Sequence, residues 1–251
     1  MLATSDGRHF GDKTHLTDKS YTTEMTSSSS GSGMSTSTTK TICLPPALAG
    51  SADGVNLAWT GGDGHVNVAL ARRYGEPAPV RLAETSRVAP ALADTGPEIV
   101  LAWAGTDRHL NLLSIRGERM GRGLRLEEKS NAAPAVCMLG NVLTLAWAGT
   151  DRHLNVLTAR DDGTFGRAVR LDETSNTAPA VCAIRNEIVL AWTGSDRHLN
   201  VLISRDRSLG KAVRLAEKSS TSPAACEQGG QVFLAWTGTD SRLNVARLGL
   251  P

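Results

Sequence analysis

Residues 144–156 read TLAWAGTDRHLNV, and the same pattern occurs five times along the chain. The other copies are NLAWTGGDGHVNV at 56–68, VLAWAGTDRHLNL at 100–112, VLAWTGSDRHLNV at 189–201 and FLAWTGTDSRLNV at 233–245. Their tryptophans are spaced by 44, 44, 45 and 44 residues, and Leu, Ala, Gly, Asp and Asn keep their places in every copy. A fixed period in this range indicates a repeat protein in which each copy forms one supersecondary unit.

A second block recurs with the same period. It reads VRLAETSRVAPA at 80–91, LRLEEKSNAAPA at 124–135, VRLDETSNTAPA at 169–180 and VRLAEKSSTSPA at 213–224. Each unit thus holds four short candidate strands, which in the third unit are 134–138, 143–147, 154–158 and 168–171. Gly, Asn and Asp separate them, as tight antiparallel turns require, and no helical period is sustained. The pattern predicts an all-β fold, a five-bladed β-propeller with four antiparallel strands per blade.

The two ends of the chain differ from the repeats. The fifth copy ends after its third strand, and aligning Pro46 with Pro90 places residues 37–42, STTKTI, on the missing outer strand. We expect this segment to pair with the C-terminal strand and close the ring, because an open ring leaves unpaired strand edges. The propeller then spans 37–251. Residues 1–36 are polar and include SSSSGSG at 27–33, which predicts a disordered tail or linker.

Composition excludes several classes of partner. The net charge is +2 with both signs interspersed, so no nucleic-acid footprint is expected. No run approaches about 20 apolar residues, so no membrane insertion is expected. The N-terminus has no apolar core of a secretory signal, which leaves a cytoplasmic location or release by a non-classical route.

Three of the four cysteines share one register position. Cys137, Cys182 and Cys226 each follow a proline by three residues, and the first two units have Ala49 and Ala93 there. The exchange of Ala and Cys predicts a small buried site. Disulfides or a metal site are the alternative, and the absence of a close CxxC pair argues against it.

One face of the propeller is expected to be repeated and polar. Strands alternate in direction, so the turn between the second and third strands and the link from the fourth strand to the next blade open on the same face. The turn carries Asp, Arg and His, and the link carries Glu, Ser and Pro, whereas the connections on the opposite face vary. Gly64 in the first blade and Ser241 and Arg242 in the fifth depart from this pattern, which favours blades two to four.

The candidate ligand-binding residues come from these three blades. They combine an aromatic, a carboxylate, a guanidinium, an imidazole and an amide, groups that bind sugar hydroxyls and stack on a pyranose. The set is Trp103, Asp107, Arg108, His109, Asn111, Trp147, Asp151, Arg152, His153, Asn155, Trp192, Asp196, Arg197, His198, Asn200, Glu128, Glu173 and Glu217.

A structural interpretation exists for each of these groups. Asp accepts backbone N–H bonds in its own turn, Asn bonds to backbone at a strand end, and Trp packs between blades. Glu84, Glu128, Glu173 and Glu217 precede a serine by two residues and follow Arg81, Arg125, Arg170 and Arg214. In one interpretation the glutamates and arginines form an ion pair between blades, and the serine hydroxyl is satisfied by hydrogen bonds. In the other, the glutamates lie at the rim of a cleft between adjacent blades. Arg and His are the strongest functional signal, because a turn needs neither.

No catalytic or metal centre is expected. Hydrolases use an asymmetric set of an acid, a base or nucleophile and a positioned substrate, whereas near-identical copies around a ring make equivalent shallow sites. His65, His109, His153 and His198 lie at equivalent places on separate blades, too far apart to share an ion. No cofactor is expected either.

In its repeats the sequence resembles bacterial and invertebrate propeller lectins. The blade count and unit length are similar to those of tachylectin-type lectins, which bind N-acetylated sugars in clefts between blades. The hairpin GTDRHL at Gly105–Leu110 and Gly149–Leu154 is similar to that of fucose-binding bacterial propellers with more blades. Within this hairpin only Gly, Thr, Asp and Leu match the pattern of those families. The Arg-His pair and the LAW string depart from it.

Three functions follow as hypotheses. The first is a multivalent carbohydrate-binding protein with glycan ligands. The second is a protein-interaction platform, or the binding head of a larger assembly joined through residues 1–36. The third is a sialidase-like glycoside-processing protein, expected to be inactive because the Ser-x-Asp-x-Gly-x-Thr-Trp box is missing.

Overall fold

The computed structural model describes residues 44–71, 79–117, 119–160, 163–205 and 208–249. Within these ranges the chain forms five antiparallel sheets and no helix. Blade 1 contains β1 (Ala47–Ser51), β2 (Gly54–Thr60), β3 (His65–Ala69) and β4 (Pro79–Thr85). Blade 2 contains β5 (Ala91–Asp94), β6 (Ile99–Ala104), β7 (His109–Arg116), the short β8 (Arg119–Met120) and β9 (Leu124–Lys129).

Blade 3 contains β10 (Ala135–Leu139), β11 (Val142–Ala148), β12 (His153–Thr158) and β13 (Val169–Thr174). Blade 4 contains β14 (Ala180–Ile184), β15 (Glu187–Thr193), β16 (His198–Arg205), the short β17 (Ser208–Leu209) and β18 (Val213–Lys218). Blade 5 contains β19 (Ala224–Gln228), β20 (Gln231–Thr237) and β21 (Leu243–Leu248). The strands expected in the third unit are therefore confirmed, with boundaries that differ by at most three residues.

The same register recurs in every blade. Trp147 lies opposite Asn155 across β11 and β12, and each other tryptophan of the repeat lies opposite its asparagine. In the first four blades the pairing of the third and fourth strands shifts between the histidine and the asparagine, as between His153 and Asn155. This bulge brings the fourth strand across the base of the hairpin.

Among the described residues, the hydrophobic core forms four layers, each between two adjacent blades. Leu101, Trp103 and Ile115 of blade 2 pack against Val66 and Val68 of blade 1, and the corresponding residues repeat this contact at the next three junctions. The innermost strands β1, β5, β10, β14 and β19 contact one another in that order. The predicted five-bladed β-propeller is confirmed.

The first and last blades each have an apolar face that is largely uncovered. Leu243 and Val245 in blade 5 are 76% and 65% exposed, whereas Leu154 and Val156 at the same positions of blade 3 are 0% and 5% exposed. On blade 1, Leu48 is 62% exposed, whereas its equivalent Leu92 is 7% exposed. The expected closing strand, 37–42, and the expected tail, 1–36, lie outside the described residues.

The described part of the chain contains no helix long and apolar enough to span a membrane.

Candidate ligand-binding face

The hairpin between the second and third strands meets the outgoing link of its own blade, as expected. The Ser130 N–H donates to the Arg108 carbonyl at 2.9 Å, and Ser130 Oγ donates to the Ala148 carbonyl of the next blade at 2.8 Å. Ser130 is 1% exposed, and Ser86 and Ser175 make the same contacts. We call this side of the propeller, formed by the hairpins and the links, the repeated face. The satisfied serine hydroxyl is confirmed, and it ties adjacent blades together.

Three residues of the motif close the hairpin itself. Asp107 Oδ1 accepts from the backbone N–H of His109 at 3.1 Å, and Asn111 Nδ2 donates to the His109 carbonyl at 2.7 Å. A Cβ atom at Gly105 would lie 2.8 Å from Asp107 Oδ1 and 3.2 Å from Asn111 Nδ2, so a larger residue there would displace these two side chains. Blades 3 and 4 repeat these contacts at Asp151, Asn155, Asp196 and Asn200.

The second carboxylate oxygen of each hairpin aspartate binds the arginine of the fourth strand. Arg125 Nη2 lies 2.9 Å from Asp107 Oδ2, because the bulged register places Arg125 opposite Asn111. The hydrogen bonds from Arg125 and from the His109 N–H hold the pKa of Asp107 below its ordinary value of 3.8. The same pairs occur in the other complete blades: Asp63–Arg81, Asp151–Arg170 and Asp196–Arg214.

This pairing corrects one interpretation of the sequence. One of the two alternatives was an inter-blade ion pair between these arginines and the neighbouring glutamates. That alternative is wrong about the residue with which each arginine pairs. The arginine instead binds an aspartate of its own blade. In blade 5, whose described residues include no fourth strand, Asp240 is left with Arg242 at 3.8 Å.

The histidines fix the bulge. His109 Nδ1 lies 2.9 Å from the Leu126 carbonyl on the fourth strand, and His65, His153 and His198 make the equivalent contact. His109 is 9% exposed, and His153 and His198 are half-buried. Each ring is therefore anchored through Nδ1, which leaves Nε2 as the nitrogen that a ligand can use.

The arginine of the hairpin has no such structural task. Arg108, Arg152 and Arg197 are exposed, and no hydrogen bond or ion pair joins their side chains to any other described residue. Their φ angles are 69°, 70° and 67°, a left-handed conformation that favours glycine. Blade 1 has Gly64 at this position with φ 82°, and blade 5 has Ser241 with φ 64°. The fold therefore accepts other residues here.

The tryptophans of the candidate set lie inside the inter-blade cores. Trp103, Trp147 and Trp192 are 4%, 2% and 2% exposed and pack against the preceding blade. A pyranose would reach these rings only if adjacent blades separated. The burial supports the structural interpretation, packing between blades.

The glutamates of the candidate set lie at the end of the fourth strand, two residues before the buried serine. Glu128 and Glu173 are half-buried and Glu217 is exposed. Among the described residues no hydrogen bond or ion pair engages their carboxylates, so they remain candidate acceptors for ligand hydroxyls. The described residues also contain no group of three or more His, Cys, Asp or Glu that is arranged to hold a metal ion.

A shallow pocket of 280 Å³ opens on the repeated face at blade 4. The hairpin of blade 4 and the links on either side of it form its walls, and the residues involved include Asn176, Thr177, Thr193, Ser195, Arg197, Ser219 and Ser220. No carboxylate is among the residues that line it. Sequence reasoning found Arg197 but missed the link residues, because only the alignment of neighbouring blades brings them to one place.

A larger groove of 960 Å³ lies between blades 3 and 4 on the opposite face. Arg160, Arg167 and Glu187 line it together with apolar residues such as Val156 and Val169. These residues come largely from the connections that vary between blades, so the groove has no fivefold counterpart in the sequence.

No protein-family model matches the chain, and no curated protein matches it in sequence. Solved structures do match its fold. The BP39L lectin of Burkholderia pseudomallei aligns with a TM-score of 0.67 at 17% identity, over 82% of this chain and 66% of that chain. AofleA of Arthrobotrys oligospora aligns with a TM-score of 0.61 at 9% identity, over 82% of this chain and 68% of that one.

A variant of the Aleuria aurantia lectin, solved with α-methyl-L-fucoside, aligns with a TM-score of 0.59 at 12% identity, over 81% of this chain and 74% of that one. The Aleuria lectin is a six-bladed β-propeller. The chain thus spans about two thirds to three quarters of the length of these proteins. At these identities, the chain is similar to them in its β-propeller fold.

Proposed function

We propose that this protein binds carbohydrate multivalently through the hairpins of blades 2, 3 and 4. The observation that carries the proposal is the triplicate arginine at Arg108, Arg152 and Arg197. Each guanidinium is exposed, unpaired among the described residues, and held on a backbone conformation that a non-glycine residue adopts at an energetic cost. Strained backbone at a repeated, solvent-facing site is typical of ligand contacts.

The side chains of the face divide into supporting and contacting groups. Asp107, Asn111 and their equivalents shape the hairpin, and the tryptophans hold the blades together. The arginine donates to the ligand, and in the pocket at Arg197 the hydroxyl and amide groups of the adjoining links supply further donors and acceptors.

Shallow single sites bind a sugar weakly, and repetition compensates for this weakness. Three equivalent sites on one rigid face bind a surface of closely spaced glycans with an avidity that exceeds any single affinity by about 10²–10⁴-fold. BP39L and the Aleuria aurantia protein are lectins, and the Aleuria structure holds α-methyl-L-fucoside, so fucosylated glycans belong among the first ligands to test.

The face is proposed as a binding surface and not as an active site. General acid catalysis needs a carboxyl group whose pKa is raised, whereas the pKa values of Asp107, Asp151 and Asp196 are all lowered. The copies are also equivalent, whereas hydrolysis requires two carboxyl groups with different roles.

A glycan array tests the proposal. The full chain is applied at neutral pH beside a variant in which Arg108, Arg152 and Arg197 are replaced by glycine, the residue that blade 1 already carries at Gly64. We expect the wild-type protein to bind a subset of glycans and the variant to lose that signal while remaining folded. A folded wild-type protein that binds nothing on the array would refute the proposal.

The second candidate is a protein-interaction platform, favoured by the 960 Å³ groove of the opposite face. Its mixture of apolar walls with Arg160, Arg167 and Glu187 suits a peptide better than a sugar. Under this alternative, capture of a partner protein is unaffected by glycine at Arg108, Arg152 and Arg197 and is weakened by Arg160→Ala with Glu187→Ala.

A further inference from the structure

The pocket at Arg197 differs from a general sugar site in its balance of charge. Its polar groups are one guanidinium, one amide and several hydroxyls, and none of its lining residues is acidic. Hydroxyl and amide groups alone serve the hydroxyls of a neutral sugar, whereas Arg197 adds a cation with no acidic residue beside it in the lining, which favours an anionic group on the ligand. Resting on the proposed function, we infer that the Arg197 pocket and its equivalents at Arg108 and Arg152 bind the carboxylate of an acidic sugar.

The carboxylate that precedes Arg197 in the sequence is already paired within its own blade. Asp196 Oδ1 accepts from the His198 N–H at 3.0 Å, and Asp196 Oδ2 accepts from Arg214 Nε at 2.8 Å. Arg197 follows Asp196 in the sequence, but no hydrogen bond or ion pair joins the two side chains, and Asp196 is paired with Arg214. Glu217 lies two residues before Ser219 and is exposed, and it is not among the residues that line the pocket. Arg197 therefore contributes an uncompensated positive charge to the concave surface.

The shape of the guanidinium matches a carboxylate. Its planar fork donates two parallel N–H bonds to the two carboxylate oxygens, an arrangement stronger than a bond to a single hydroxyl. Beside it, Asn176, Ser195 and Ser220 have no hydrogen-bond partner among the described residues. These three side chains are the groups available for the hydroxyls of the same sugar ring.

The backbone supports a role in binding instead of a role in folding. An L-residue is disfavoured in the left-handed region relative to the right-handed one, and glycine avoids this penalty. Blade 1 uses Gly64 in the same hairpin, which shows that the turn forms without arginine. Replacing the three arginines by glycine is therefore expected to keep or raise the thermal stability while removing the charge.

Arg185 offers a matched control on the opposite face. It is also exposed and has a φ of 54°, in the turn between β14 and β15. The substitution Arg185→Gly removes one positive charge and relieves the same kind of backbone strain, and it leaves the repeated face untouched. The effect of losing one exposed positive charge, or of relieving strain in one turn, appears in this variant as well.

The experiment measures binding to two pairs of probes by biolayer interferometry. The first pair is multivalent 3′-sialyllactose and lactose, and the second is polygalacturonate and its methyl ester. We expect the wild-type chain and Arg185→Gly to prefer the acidic member of at least one pair by about tenfold or more, less so at high salt. The triple glycine variant should lose this preference and melt no lower than wild type.

The outcomes separate this inference from the proposed function. Equal binding to both members of each pair, or binding of only neutral glycans on the array, overturns the acidic ligand and leaves carbohydrate binding standing. A triple variant that melts several degrees lower assigns the arginines to folding and also overturns the inference. Binding to none of the four probes together with a blank array contradicts the proposed function itself. The response of the two pairs distinguishes a sialic acid from a uronic acid.

Discussion

At the scale of single residues, some side chains of the repeated hairpin maintain the turn, and a different one is free to contact a ligand. The side chains of Asp107 and Asn111 bond to the His109 backbone and lie close to Gly105, and so these residues would be needed in a protein without any ligand. Arg108 takes part in this network only through its backbone, and its side chain remains free among the described residues. Residues that repeat equally well in the sequence therefore have different roles in the structure.

The aspartates should titrate below their ordinary range. Arg125 and the His109 N–H stabilise the ionised form of Asp107, so its folded pKa lies below the unfolded value of about 3.9. The resulting stability is present above the unfolded pKa and is lost as the pH falls through the folded pKa. We expect an NMR titration to place the Asp107 midpoint below about 3.9, and Arg125→Ala to raise it. A midpoint unchanged by Arg125→Ala would contradict the ion pair.

The cysteines should differ in reactivity. Burial raises the pKa of the Cys182 thiol to about 12 from 9.0, whereas Cys226 is exposed on blade 5. At pH 8 we expect iodoacetamide to alkylate Cys226 and to spare Cys182 in the native chain, as read by mass spectrometry. Because the folded pKa is raised, the stability that depends on this thiol is complete below pH 9 and declines as the pH rises towards 12. Alkylation of both residues at equal rates would show that the junction between blades 4 and 5 opens.

The predicted small buried site for the cysteines is confirmed at Cys182, which is 6% exposed. It is wrong at Cys226, which lies on the uncovered side of blade 5, and Cys137 is half-buried. The three occur as free thiols in the described part of the chain. Register predicts the position on the strand, but burial depends on whether a neighbouring blade covers it.

At the scale of elements, the buried serine is the link between blades. Ser130 joins the end of β9 to the hairpin of its own blade through its N–H and to the end of β11 through Oγ. Its hydroxyl also accepts from the Ala132 N–H at 3.1 Å. The serines therefore set the positions of the hairpins relative to one another, which a multivalent surface requires.

Removing this hydroxyl should destabilise the propeller. Ser130→Ala leaves the Ala132 N–H and the Ala148 carbonyl without their partner in a buried place, at a cost of about 1–3 kcal/mol in the free energy of unfolding. Ser220→Ala is the control, since Ser220 is exposed and adjacent to the equivalent Ser219. Urea denaturation measures both, and equal stability of the two variants would show that the serine does not link the blades.

The strands were predictable from the sequence, whereas their lateral contacts were not. A fixed period with four apolar runs determines the number of blades and the approximate strand ends. The bulge at His153 and Asn155 is not visible in the sequence, because it depends on a side chain bonding to a carbonyl of another strand. That bulge selects the partner of Arg170, and so the ion pair with Asp151 could not be predicted either. The burial of Trp147 likewise depends on the spacing of two blades.

At the scale of the whole molecule, the uncovered faces of blades 1 and 5 carry apolar residues at the positions that meet at the other junctions. Leu243 and Val245 occupy the positions that face the next blade at every other junction, and Leu48 and Val55 occupy those that face the previous one. Apolar side chains at such exposure are unfavourable in water. We expect the ring to close with residues 37–42 on the free edge of β21. This stays a prediction, because these residues lie outside the described part of the chain.

Truncation tests ring closure. We expect removal of residues 1–44 to lower the melting temperature and to cause self-association, because β21 then keeps an open edge beside exposed Leu243. Removal of residues 1–36 is the control and should change neither property, since it leaves the predicted closing strand in place. Thermal melting and light scattering give both readouts, and a truncation at 44 that behaves like wild type would exclude the closing strand.

The central claim is that blades 2, 3 and 4 bind glycans together through their hairpin arginines. The most direct measurement is the dissociation rate from a surface densely coated with the best glycan of the array, for single, double and triple glycine variants at Arg108, Arg152 and Arg197. We expect faster dissociation with each substitution, no retained binding in the triple variant, and no fall in melting temperature. A triple variant that dissociates as slowly as the wild-type protein would contradict it.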